Sequence, residues 1–170
     1  RAEVDELADL SAELSALAID NRTTEEVESI DLSDVAHEVA TRASRRSGAP
    51  VTVHATPGTT VVVRPNQLER ALSNLVDNAI KFTNDGSEIE IHVGSFRVEV
   101  RDKGIGIADD DKPLVFDRFY RATATRSMPG SGLGLSIVSQ FATDHNASAY
   151  VLDNAGGGAI VGLQFPIPSV

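Results

Sequence analysis

A chain of 170 residues with 41% hydrophobic and 24% charged content has the make-up of one globular domain with a single core. Its 15 Lys and Arg against 25 Asp and Glu give a formal charge of -10, which argues against a nucleic-acid partner, since such partners select basic patches. The absence of Cys excludes disulfides and thiolate metal sites, no apolar run approaches the ~20 residues that span a bilayer, and the first residue, Arg rather than Met, suggests a fragment of a longer protein.

In chain order, Val4, Leu7, Leu10, Leu14 and Leu17 step by threes and fours and predict an amphipathic helix over 1–19. Residues 20–30 are polar and read as a linker. Asp31 is placed to cap a helix from about Leu32 to Arg46, closed by Gly48-Ala49-Pro50. Two short strands follow at 51–54 and 60–63. Pro65 then opens a long helix through Phe82, in the first turn where its missing N–H costs nothing. Ile89, Ile91 and Val93 alternate with polar residues, as do Phe96, Val98 and Val100 with Arg97, Glu99 and Arg101. This predicts a hairpin with one apolar and one wet face. A Gly-, Pro- and charge-rich loop covers about 104–132, a helix about 133–143, and closing strands lie near 147–152 and 159–167. Helices layered on one sheet face make a two-layer α/β sandwich.

The long helix carries unusual polar chemistry. Leu68, Leu72, Leu75, Val76 and Ala79 gather on one side, and Arg70, Asn74, Asp77, Asn78 and Lys81 on the other. A solvated face is one reading. However, Asn disfavours helix interiors by roughly 0.5–0.7 kcal/mol relative to Ala, and a merely wet face is better served by Glu, Lys or Gln. Two carboxamide oxygens and an ammonium in a row suit a magnesium ion with phosphates beside it.

The hairpin's alternation places Asp102 on the same apolar face as Val98 and Val100. A buried carboxylate needs a partner. Followed by Lys103-Gly104-Ile105-Gly106-Ile107, it is either a turn residue or the base of a pocket, able to accept from the exocyclic amine of adenine. Gly130-Ser131-Gly132-Leu133-Gly134-Leu135 leads into a helix, as a hinge, an anion-binding N-terminus, or both. Between them, Phe116-Asp117-Arg118-Phe119-Tyr120-Arg121 concentrates three aromatics and two arginines, a segment expected to dock on something.

In this order and spacing the four segments resemble the ATP-binding domain of sensor histidine kinases, which shares its fold with Hsp90, DNA gyrase and MutL. Residues 74–82 look like the N box, 102–107 the G1 box, 116–121 the F box and 130–135 the G2 box. The resemblance covers about 31–168, and 1–19 look like the end of the dimerisation bundle's second helix. It implies a mixed, mostly antiparallel sheet covered on one face by three helices, with a catalytic domain over 31–170 and a lid over about 108–131 that is mobile without nucleotide.

ATP and Mg2+ are the implied ligands. Asn78 is the implied metal ligand, supported by Asn74. Lys81 reaches the phosphates and Phe82 lies near the nucleotide. Asp102 fixes the adenine amine, while Gly104, Gly106 and Ile107 shape the base pocket. Ser131, Gly132, Leu133, Gly134 and Leu135 serve the lid hinge and the phosphates, with Phe119 also in the nucleotide set. Arg118 and Arg121 are candidates for steadying transferred charge, beside Asn74 and Lys81 as catalytic residues.

The ATPase branch carries a water-activating Glu four residues before its magnesium Asn. Here that residue is Asn74, and a carboxamide is no general base. Phosphoryl delivery is favoured over hydrolysis. An Hsp90- or MutL-like ATPase and an anti-sigma-type serine kinase are the alternatives.

The family's phosphoacceptor stands in a His-Glu-x-x-x-Pro context. His37-Glu38 lacks the Pro and falls inside the sandwich's own first helix, and His54, His92 and His145 read as ordinary surface or strand residues. No phosphoacceptor is expected in this chain. The implied partners are the chain's own dimerisation domain and a response regulator. The fragment is expected to be a cytoplasmic monomer or weak dimer, cut from a membrane-anchored homodimer.

Overall fold

The computed structural model describes residues 25–83, 86–128 and 130–168. The helix expected over 1–19 and residues 20–24 of the expected linker lie outside the described residues.

Helix α1 (Leu32–Ser47) starts where Asp31 accepts a hydrogen bond from the Ser33 N–H at 2.8 Å. It stops at Gly48, whose φ of 74° lets its N–H return to the Ser44 carbonyl at 2.9 Å. Strand β1 (Glu28–Asp31) corrects the linker reading at its end. It pairs antiparallel with β3 (Thr60–Val63), from Glu28 opposite Val63 to Asp31 opposite Thr60. Its half-exposed sequence has no strand pattern of its own, and the pairing is what makes it a strand.

The main sheet has the order β2-β4-β5-β7-β6, comprising β2 (Val51–Ala55), β4 (Ile89–Gly94), β5 (Arg97–Arg101), β7 (Ala159–Gln164) and β6 (Ser148–Asp153). Among the described strands of this sheet only β2 and β4 run parallel. Helices α1, α2 (Pro65–Phe82) and α3 (Gly134–Asp144) cover one face. Leu68, Leu72, Leu75 and Val76 of α2 pack with Ala36 and Val39 of α1, Val138 and Phe141 of α3, and Ile89, Ile91, Val98, Val100 and Leu163 of the sheet. The two-layer sandwich is therefore as expected, with the burial of these aliphatic side chains, worth roughly 1.5–3 kcal/mol each, as its main cohesion.

Three local expectations change. Ser95 and Phe96 have φ of 53° and 57° and form the two-residue turn between Gly94 and Arg97, so β5 begins after Phe96. Strand β7 ends at Gln164 rather than 167, because Pro166 has no N–H for the ladder. Glu99, expected on a wet face, does lie on the uncovered face but is only 4% exposed. The ring of Tyr150 crosses Gly162, where a Cβ would stand 2.7 Å from it, and the Tyr150 hydroxyl donates to Glu99 Oε1 at 2.7 Å. Arg101 donates to Glu99 Oε2 at 2.7 and 3.2 Å. Burial pushes the Glu99 carboxyl up, but Arg101 and Tyr150 outweigh it and its net shift is downward. Burial and the Glu99 charge push the Tyr150 phenol up.

Candidate functional site

A cavity of about 210 Å³ opens between α2, the end of β5, β7 and the 108–131 segment. Its helical wall follows from the periodicity of α2. With the apolar stripe turned to the core, Asn74, Asn78 and Lys81 fall together along the cavity. Asn74 Nδ2 donates to the Arg70 carbonyl at 2.9 Å. Its Oδ1 lies 3.2 Å from where a Cβ on Gly134 would stand, so the first residue of α3 has to be small for this approach. The Asn78 carboxamide has no hydrogen-bonding partner among the described residues. The Lys81 ammonium lies 5.0 Å from the Phe82 ring centroid, within cation–π range. It also packs against Gly130, where a Cβ would come within 2.1 Å of Nζ.

Asp102 forms the opposite end. It is 7% exposed. Its Oδ1 accepts from the Gly104 N–H at 2.8 Å and the Ala159 N–H at 3.2 Å, while Oδ2 has no partner among the described residues. Burial raises its pKa, and the two backbone donors work against that rise. The Asn154 amide donates to the Asp102 carbonyl at 2.7 Å, and Asp102 N–H donates to the Ala159 carbonyl at 3.0 Å, so the residue is fixed from β7 and from the glycine turn before it. Gly158, at φ 91°, passes so close that a Cβ would meet the Asp102 carbonyl at 2.1 Å.

The described residues of the 108–131 segment form a succession of turns with a 3-10 turn at Thr123–Thr125. The Tyr120 hydroxyl donates to the buried Asp111, and the Arg121 guanidinium folds back onto the carbonyls of Thr125 and Met128. Phe119 N–H donates to the Gly132 carbonyl at 3.1 Å. Gly132, at φ 77°, crosses under the Phe119–Tyr120 backbone, where a Cβ would stand 2.8 Å from the Tyr120 carbonyl oxygen.

The cavity thus brings together Asn74, Asn78, Lys81, Phe82, Asp102, Gly106, Ile107, Arg121, Ser131, Gly132, Gly134 and Leu135. Gly104 and the buried Leu133 support it from behind. Arg118 and Phe119 are not brought in. Both are exposed, Phe119 at 58% with φ 62°. Sequence reasoning missed Val115, Thr125, Ala159 and Val161 in the wall. For the last two a signal existed, because β7 alternates like β5 and Val161 sits opposite Val100, next to Asp102 on the same face.

The Histidine kinase-, DNA gyrase B-, and HSP90-like ATPase family matches residues 63–169. The "Signal transduction histidine-protein kinase/phosphatase MprB" of Mycobacterium sp. (strain KMS) is 34% identical over 169 residues, 96% of this chain, and the chain spans only 33% of that relative's length. The "Sensor histidine kinase component HK1" of Mycobacterium tuberculosis is 36% identical over 139 residues, 81% of this chain and 82% of the relative. Among solved structures, the "Mycobacterial sensor histidine kinase MprB" superposes with a TM-score of 0.71 at 31% identity, covering 81% of this chain and 95% of that one. The chain belongs to the histidine kinase-, DNA gyrase B- and HSP90-like ATPase family, as an ATP-binding catalytic domain of the sensor histidine kinase kind.

Proposed function

We propose that this domain binds magnesium-ATP in the α2–β5–β7 cavity and delivers the γ-phosphoryl group to a histidine on a dimerisation bundle, for relay to an aspartate of a response regulator. The bundle would be completed by a second copy in a homodimeric, membrane-anchored parent, with residues 1–19 as the end of its second helix. Among the described residues no helix is long and apolar enough to cross a membrane.

The observation that carries the reading is Asp102. Oδ1 is spent on two backbone N–H groups and Oδ2 is left without a described partner, on a carboxylate held rigidly at a cavity wall. That oxygen can accept from an exocyclic amine, which sets adenine at this end and the phosphates toward Asn78, Lys81 and the Gly130–Gly134 turn. The unpartnered Asn78 carboxamide fits a magnesium ion, a hard cation satisfied by a few protein oxygens, phosphates and water. When bound, the ion supplies neutralisation of the β- and γ-phosphate charge. Lys81 adds positive charge beside it, and Asn74, close against Gly134, offers no base to a water molecule. Phosphoryl transfer asks mainly for positioning and charge stabilisation, and these residues supply both.

ATP is expected to bind at least about tenfold more tightly than GTP. GTP presents a carbonyl where adenine has its amine, and a buried group left unpaired costs roughly 1–3 kcal/mol. Calorimetry with both nucleotides checks this, and Asp102→Ala should erase the preference. Equal affinities for the wild type would remove Asp102 from base recognition.

A further inference from the structure

The sheet face that no helix covers among the described residues carries a cluster the nucleotide site does not use. Strand alternation turns Val51, Val53 and Ala55 of β2, and Ile89, Ile91 and Val93 of β4, toward the helices. The intervening residues His54, Glu90 and His92 therefore stand on the open face. His54 lies directly opposite His92 in the parallel β2–β4 register, with ring centroids 4.7 Å apart, and Glu90 precedes His92 by one full pleat. His92 Nε2 is 2.7 Å from Glu90 Oε2. One ligand-type atom from each of the three residues lies within 4.8 Å of the other two.

Two imidazoles and one carboxylate are a common donor set for a divalent transition cation with an open coordination position. In a tetrahedral zinc site the ligand atoms sit about 3.3–3.4 Å apart, set by bonds of about 2.0–2.1 Å. Side-chain rotations would have to close the remaining distance, and all three residues project from neighbouring positions of one strand pair. Of the charged neighbours, Lys103 acts on the Glu90 carboxylate through its charge alone, and the others are engaged elsewhere. Arg101, opposite Glu90 on β5, is engaged by Glu99, and Glu99, opposite His92, is itself taken by Arg101 and Tyr150. The site would also bridge β2, an edge strand of the sheet, to β4.

We propose that His54, Glu90 and His92 bind a divalent cation of the zinc class, with water in the remaining positions, clipping the edge strand β2 to the sheet on the face opposite the nucleotide cavity. The test is a calorimetric titration of the 170-residue chain with zinc chloride alone, without nucleotide. One site is expected. His92→Ala should weaken it by roughly tenfold or more, since one of three protein ligands is lost, and His54→Ala together with His92→Ala should abolish it, with ATP binding retained as proof of folding. His37→Ala should change nothing. No zinc binding by the wild type, or unchanged binding by the double variant, would overturn the proposal. If the double variant fails to fold, the imidazole proton resonances of the wild type decide. Those of His54 and His92 must shift on zinc addition while those of His37 stay, and the reverse would overturn it.

Discussion

Replacing Gly104 with Ala should destabilise the domain by roughly 3 kcal/mol, at the upper end of what overpacking costs. A Cβ there would stand 2.0 Å from the Phe82 carbonyl oxygen and 2.7 Å from its carbon, with Asp102 Oδ1 3.0 Å away. None of these atoms can swing aside. Phe82 O belongs to the last turn of α2 and accepts from the Ile105 N–H at 3.3 Å, and Asp102 is held by β7. Relief requires the helix end and the G1 turn to separate, which pulls Phe82 and Asp102 apart and opens the proposed adenine end of the cavity. Thermal unfolding should register a fall of about 6–12 °C, together with loss of ATP binding. Gly156→Ala is the control. A Cβ there meets nothing within 4 Å, so only the left-handed backbone at φ 88° is penalised, by about 1–2 kcal/mol. A Gly104→Ala protein as stable as Gly156→Ala would contradict the close approach.

Asn78→Ala should lower magnesium-ATP affinity by about tenfold to a hundredfold. Contacts from a neutral group to a charged one are worth roughly 1.5–3 kcal/mol, and Asn78 meets the cavity with a carboxamide that no described residue satisfies. Folding stability should hardly change, because the truncation breaks no described hydrogen bond. The diagnostic comparison is magnesium dependence. Removing the ion should weaken binding to the wild type strongly and to Asn78→Ala little. Parallel magnesium dependence in the two proteins would take Asn78 out of the metal site.

What was legible in the sequence is what local chemistry dictates. Pro65 at a helix start and an apolar stripe every three or four residues located α2 to its last residue, and the same stripe fixed which side Asn74, Asn78 and Lys81 occupy. Asp102 could be aimed at the interior because the alternation of Val98 and Val100 continues through it. Features made by distant segments were not legible. Strand β1 exists through β3, 29 to 35 residues on, and Glu99 is buried by Tyr150, fifty-one residues on, through the gap that Gly162 leaves. The F segment showed its composition but not its orientation. Positive φ at Phe119 turns that ring out while Tyr120 turns in to Asp111, and no periodicity announces such a reversal. His54 and His92 read as unremarkable strand residues for a related reason, since only the parallel register brings them opposite each other.

The most direct test of the central reading is phosphoryl transfer in trans. The chain is mixed with γ-labelled ATP, magnesium and a separately produced dimerisation bundle carrying its acceptor histidine. Label that is acid-labile and alkali-stable should appear on the bundle, slowly because covalent tethering is missing, and none should appear on His37 when the chain is incubated alone. Rapid release of inorganic phosphate without label on the bundle, or label on a serine, would contradict the assignment of this domain to histidine phosphorylation.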